Sequence, residues 1–97
     1  MSWKASAYVK TLTRAPDGSL LTHTEKLLLM VLSDYYNDSE GAAWPSVERL
    51  ARETLISRRQ VIRVTGSLVQ RGMLARAPRQ RGVRTTQRYC FPTLPEE

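Results

Sequence analysis

Residues 44–74 read WPSVERLARETLISRRQVIRVTGSLVQRGML. The order of caps, apolar positions and arginines in this stretch decides the fold. Trp44, Pro45 and Ser46 open it. Pro45 cannot continue a helix from upstream, because its ring fixes φ and it has no N–H to donate, and Ser46 is a good N-cap. Val47, Leu50 and Ala51 then fall on one side of a short helix. Thr54, Leu55, Ile56 and Ser57 interrupt that pattern. Ser57 and Gln60 have the S-x-x-Q spacing of a capping box, in which two side chains satisfy backbone donors at a helix start. From Arg58 to Arg71, Val61, Val64, Thr65 and Leu68 recur at i, i+3, i+4 and i+7, the period of a helix with one buried side. Gly72 stands where a C-terminal cap belongs.

Two positions in this stretch resist an ideal reading. Leu55 occupies the turn between the helices, where glycine would serve because it tolerates positive φ. Either Leu55 is strained or the turn takes another geometry. Gly66 lies inside the second helix, where it costs roughly 1 kcal/mol against alanine. The expected reason is a close helix–helix approach. Ile62 and Val69 fall off the buried stripe, and they suit either a neighbouring element or a contact between copies of the chain.

Upstream, Thr22 and Glu25 form a T-x-x-E capping box. Leu27, Leu28, Val31, Leu32 and Tyr35 follow as the buried stripe of a core helix over residues 23–37. Asn37, Asp38, Ser39 and Gly41 end it. Pro16, Asp17 and Gly18 mark a turn before it. Residues 2–12 fit either a helix, through Trp3, Ala7, Tyr8 and Leu12, or a strand, through Trp3, Ala5, Ala7 and Val9. The preferred reading is a short helix capped by Ser2, with Trp3 and Trp44 as packing anchors. Downstream the period changes. Met73, Leu74 and Ala75 begin an extended segment, residues 78–83 (PRQRGV) make a basic turn, and residues 85–91 return as a strand rich in Thr and aromatics. The expectation is therefore one domain over residues 1–97, mainly α with a small β-hairpin. It has an N-terminal helix at 2–12, a core helix at 23–37, two helices joined by a turn at 46–71 and a hairpin at 73–91.

Apolar residues make up 41% of the 97 positions and charged residues 25%, the balance of an ordinary globule. The apolar run Leu27 to Leu32 is far short of the ~18 residues that span a bilayer, so no membrane association is expected. The N-terminus lacks the basic, apolar, small-residue order of a signal peptide. The expected compartment is the cytoplasm. Cys90 is the single cysteine and His23 the single histidine, so no zinc site is expected, and Cys90 reads as a half-buried strand residue. The net charge of +6 is unevenly placed. Residues 1–53 hold three Lys and three Arg against seven acids. Residues 54–95 hold nine Arg with neither Lys nor acid. An acid-free, arginine-only half is a focused positive field whose usual partner is a polyanion.

Two short helices joined by a tight turn, the second well capped and arginine-rich at its start, form the helix-turn-helix arrangement. Such a recognition helix offers its first turns to base edges in the major groove and buries its opposite side. Arg58, Arg59, Gln60 and Arg63 are the expected readers. Arginine matches guanine through a bidentate fork, and glutamine can pair with adenine. Two arginines at a helix start oppose the helix dipole, which suggests that an anion is expected there. Ser46 and Ser57 head helices whose free N–H groups suit phosphate oxygens. Arg49 and Arg52 read as ordinary surface charges paired with Glu48 and Glu53. Arg76, Arg79, Arg81, Arg84 and Arg88 make the hairpin a basic wing, with Arg79, Gln80, Arg81 and Gly82 at its tip, suited to the phosphate backbone or a minor groove.

On Trp44, Pro45, Ser46, Leu50, Ala51, Ser57, Arg58, Arg59, Val61, Leu68 and Gly72, the chain resembles the winged helix-turn-helix domains of bacterial and phage replication-initiation and regulatory proteins. The run EKLLLMVLSDYYND also looks like that family's first core helix, and the likeness covers roughly residues 22–91. It implies a winged helix-turn-helix fold. It also implies double-stranded DNA as partner, with a role in transcriptional regulation or replication. Because a monomer offers one recognition helix, high specificity favours a homodimer on a palindromic site, with Trp3, Tyr8 and Leu12 as the expected contact surface. The competing class is an interaction module that docks an acidic partner through the arginine face, since fold alone does not fix function. An enzyme is disfavoured. No Cys/His pair or Gly-rich phosphate loop is present, and Asp34, Asp38 and Glu40 read as a solvated loop. Neither a cofactor nor a small-molecule substrate is expected.

Overall fold

The computed structural model describes residues 3–77 and 87–94. Four helices precede a two-stranded antiparallel hairpin: α1 (Trp3–Thr11), α2 (His23–Asp34), α3 (Val47–Thr54), α4 (Arg58–Gln70), β1 (Ala75–Ala77) and β2 (Arg88–Cys90). The hairpin pairs Ala75 with Cys90, Arg76 with Tyr89 and Ala77 with Arg88. Ala43, just before α3, adds one further bridge by exchanging two 2.8 Å backbone hydrogen bonds with Tyr89. This is the mainly α, winged helix-turn-helix layout. Residues 78–86, which include Arg79, Gln80, Arg81, Gly82 and Arg84, lie outside the described residues, as does the expected cap Ser2.

Helix α2 is the hub and packs against α1, α3 and α4. Its start is the expected capping box. The Glu25 N–H donates to Thr22 Oγ1 at 3.1 Å, and the Thr22 N–H donates to Glu25 Oε1 at 2.8 Å. Its buried side is Glu25, Leu28, Leu29, Leu32 and Ser33, not the stripe through Leu27, Val31 and Tyr35. Leu27 is exposed, and Val31 and Tyr35 only flank the core. The run LLLMVL allows more than one stripe, so buried polar groups set the phase. Glu25 is held by its cap, and Ser33 Oγ lies 3.2 Å from Ser6 Oγ on α1. The helix also stops at Asp34, with Tyr35 as C-cap, rather than reaching residue 37. A turn takes over there: the Gly41 N–H donates to the Asn37 carbonyl and the Glu40 N–H to Asn37 Oδ1.

Residues 3–11 are helical, but with another phase than expected. Ala5 and Val9 are fully buried, whereas Trp3 is 85% exposed and is therefore no packing anchor. Small residues at i and i+4 let α1 lie close to α2. Lys26 crosses from α2 to finish α1. Its Nζ donates to the carbonyls of Val9 (2.8 Å), Lys10 (2.9 Å) and Leu12, acceptors that a helix end leaves orphaned. Of the surface expected to meet a second copy, Trp3 is exposed, while Tyr8 and Leu12 pack against the core.

The stretch that decides the fold forms as its caps dictate. Ser46 Oγ accepts the Arg49 N–H at 3.0 Å, and Ser57 Oγ accepts the Gln60 N–H at 3.1 Å. Helix α4 closes with a Schellman motif. The Met73 N–H reaches the Leu68 carbonyl and the Gly72 N–H the Val69 carbonyl, with Gly72 at φ +80° beside Pro16. Val61, Val64, Thr65 and Leu68 are buried as expected.

Leu55 takes the left-handed conformation a glycine would take, at φ 62° and ψ 25°. Thr54 holds it there. The Thr54 hydroxyl donates to the Leu50 carbonyl at 2.6 Å and accepts the Ile56 N–H at 3.3 Å, which fixes the chain on both sides of the turn. The Leu55 side chain is 92% exposed, so it gains almost nothing by burial in return. Leu55→Gly should therefore raise stability by about 1 kcal/mol, after allowing for glycine's greater freedom in the unfolded chain. Thermal unfolding should show a rise of roughly 4–8 °C in Tm. A lower Tm would mean that the leucine stabilises the turn by other means.

Candidate nucleic-acid interface

The nine arginines of residues 54–95 do not act as one basic surface. Two of the described ones turn inward. Arg71 bonds the buried carboxylate of Glu25 and spreads its second nitrogen over Ser19 Oγ (2.6 Å) and the Leu20 carbonyl (3.1 Å). It thus ties the loop before α2 to the end of α4. Arg88, assigned to the wing from sequence, is buried instead. Its guanidinium lies 4.4 Å from the centroid of the Trp44 ring and 3.1 Å from Glu40 Oε1. Trp44, expected as a packing anchor, is instead 37% exposed and outside the hydrophobic core, and its ring lies against a cation.

Arg58 is exposed but engaged, with Nε 3.1 Å from Glu48 Oε1 across the helix-turn-helix. Both side chains are more than 60% exposed, so this contact is weak and salt-sensitive. It corrects the expected pairing of Glu48 and Glu53 with Arg49 and Arg52. Glu48 meets Arg58, and Glu53 accepts from the Tyr35 hydroxyl. Arg49 lies over the Tyr35 ring, 5.8 Å from its centroid.

What remains outward on α4 is a sharper set. Residues 59, 62, 63, 66 and 70 share the side opposite Val61, Val64 and Leu68. Arg59 and Arg63 are exposed and make no ion pair among the described residues. The Gln60 side chain is exposed too, and the reciprocal half of its expected capping box is not made: Ser57 accepts from the Gln60 backbone, but Gln60 does not return the bond. The amide therefore stays available at the helix start. Arg76 on β1 is exposed. Of the other residues singled out, Ser46 and Ser57 cap α3 and α4, while Arg79, Arg81 and Arg84 fall outside the described residues.

The structure adds neighbours that spacing could not reveal. A groove of about 310 Å³ runs beside α4, lined by Gln60, Arg63 and Ser67 on one wall and Thr22, Thr24 and Glu25 on the other. The start of α2 thus stands next to the first two turns of α4. The signal for this was the Thr22 cap, but sequence alone did not bring it to the face of another helix. A second groove, of about 140 Å³, separates α3 and α4 from β2, with Arg58 and Gln87 among its lining residues. Gly66 also departs from expectation. A Cβ built there would meet nothing within 4 Å, so no helix packs closely against it.

Glu25 shows how the site's support is charged. Burial raises its carboxyl pKa, but hydrogen bonds from Arg71 and Thr22 and the Arg71 charge outweigh that effect and hold it below its ordinary 4.5. No described helix is long and apolar enough to cross a membrane. Comparison with curated proteins and with solved structures finds no match. A family model described as a helix-turn-helix domain matches residues 19–74, from the loop that Arg71 clamps to the foot of the hairpin. On that match, over more than half its length, and on the caps and packing of α2, α3 and α4, the chain belongs to this family of helix-turn-helix domains.

Proposed function

We propose that the chain binds double-stranded DNA sequence-specifically, with α4 in the major groove and the arginines of residues 76–84 along the phosphate backbone or in a minor groove. The observation that carries this is the outward side of α4. Arg59 and Arg63 stand there without acidic partners among the described residues, beside Gln60, whose side chain is exposed and does not close the capping box, on a helix whose opposite side is committed to the core. These are the side chains that match guanine and adenine edges. Ser46 and Ser57 spend their hydroxyls on caps, so their part is to orient free backbone N–H groups toward phosphates. Arg58 joins them by exchanging Glu48 for a phosphate, a trade made easy by the exposure of that pair. The roles that follow are those of a small cytoplasmic, nucleoid-associated regulator of transcription, or of a replication-associated protein of a bacterium, phage or plasmid. A homodimer would match a palindromic site.

A labelled-duplex titration tests the proposal. With about five phosphate contacts, log K should fall with log salt at a slope of roughly −4 to −5. A random-sequence duplex should bind weakly, and one selected from a random pool far more tightly. No binding, or binding indifferent to salt, overturns the reading.

A further inference from the structure

The outward side of α4 carries one residue that neither the core nor the charge pattern explains. Ile62 is 50% exposed and lies beside the Arg59–Arg63 pair, one turn after Arg59. It lies off the buried Val61, Val64 and Leu68 stripe and takes no part in the hydrophobic core. Resting on the DNA-binding reading above, we propose that Ile62 is a specificity-determining residue that reads the C5-methyl group of a thymine, flanked by base pairs read by Arg59 and Arg63.

The chemistry of the groove selects this ligand. Base edges in the major groove present donors and acceptors, together with one apolar group, the thymine methyl. An apolar side chain set among base-reading cations has that methyl as its natural counterpart. A β-branched residue in a helix holds nearly one χ1 rotamer, so Ile62 presents its Cγ2 methyl in a fixed direction before binding and loses little χ1 freedom on contact. The charge on either side supplies the occupant. Two arginines without an ion pair among the described residues draw the duplex in and set the helix against it, and an apolar partner protein would have to strand both charges. Gly66, one turn further along the same side, fits the same arrangement. With nothing within 4 Å of where a Cβ would stand, it leaves the helix surface low beside Ile62 and lets a groove wall approach.

The experiment replaces single thymines by deoxyuridine in a duplex selected from a random pool, which removes the C5-methyl and leaves every hydrogen-bonding edge intact. The full chain should lose about fourfold in affinity at one thymine per bound copy, the worth of one buried methyl-sized group. In Ile62→Ala that same replacement should cost nothing, while other thymines behave as before. Because Ile62 is half-exposed, the variant should keep its Tm. If every thymine responds alike in both proteins, or if selected sites carry no thymine beside the guanines, the assignment is overturned. It is also overturned if Ile62→Ala changes the mass of the free protein, since the residue would then join copies of the chain. A failure to bind any duplex would instead remove the DNA-binding reading itself.

Discussion

Glu25→Ala is expected to destabilise the fold by about 3 kcal/mol, the low end of the cost of breaking a buried ion pair. Glu25 is 5% exposed and has two jobs. Its backbone and carboxylate close the capping box with Thr22, and its second oxygen receives Arg71. Alanine would leave the Thr22 N–H without its acceptor and a largely buried guanidinium without its counter-charge. The low end applies because Arg71 keeps 20% of its side-chain surface in water and retains Ser19 and Leu20 as acceptors. In a chain of this size the loss should appear as a fall of roughly 15 °C in Tm. Glu25→Ala combined with Arg71→Met should cost less than the sum of the two single changes, because no unpaired charge then remains. Strict additivity in urea unfolding would show that the two side chains do not act as a pair.

The same pair fixes the sign of an acid dependence. The folded-state pKa of Glu25 lies below its ordinary 4.5, because the opposing hydrogen bonds and charge outweigh burial. Its stabilisation is therefore present above pH ~4.5 and is lost as pH falls through the lower folded value. Glu25→Gln keeps the size of the side chain and removes the titration, so its stability curve should be flatter across that acid window.

These two residues show what the sequence made legible and what it did not. The cap motif at Thr22 and Glu25 was readable because it depends on spacing alone. Ser46, Ser57 and Gly72 were readable for the same reason, and they delimit α3 and α4 correctly. The partner of Glu25 was not readable, because Arg71 lies 46 positions away and only the packed fold brings them together. The apolar pattern alone gives α2 a different phase, because Glu25 and Ser33 are buried and polar residues carry no weight in a stripe of apolar ones. The same blindness applies to Arg88. On paper it belongs to a basic strand, but the Trp44 ring and Glu40 draw it inside. The outward arginines of α4 were legible, since a buried stripe at Val61, Val64 and Leu68 fixes what lies opposite. Gly66 was visible as an anomaly, but the close helix approach expected for it is absent.

Arg59→Ala should weaken binding to a selected duplex by about 10- to 100-fold, the worth of one bidentate arginine–guanine contact. Binding to random duplex should fall only a few-fold, since there the side chain contributes no more than charge. The split follows from where Arg59 stands. It occupies the first turn of α4, exposed and without an ion pair among the described residues, so removing it leaves no carboxylate stranded and no core gap. Stability should stay within about 0.5 kcal/mol of the parent, as for most surface changes. Arg58→Ala provides the contrast. Its guanidinium already holds Glu48, and removing it frees that carboxylate beside the duplex, so specific and random binding should fall together. Salt titrations separate the two roles further. Loss of a phosphate contact lowers the log–log slope by about one, whereas loss of a base contact leaves it unchanged. If Arg59→Ala lowers specific and random binding equally and flattens the slope, Arg59 is a phosphate anchor and base reading passes to Arg63 and Gln60.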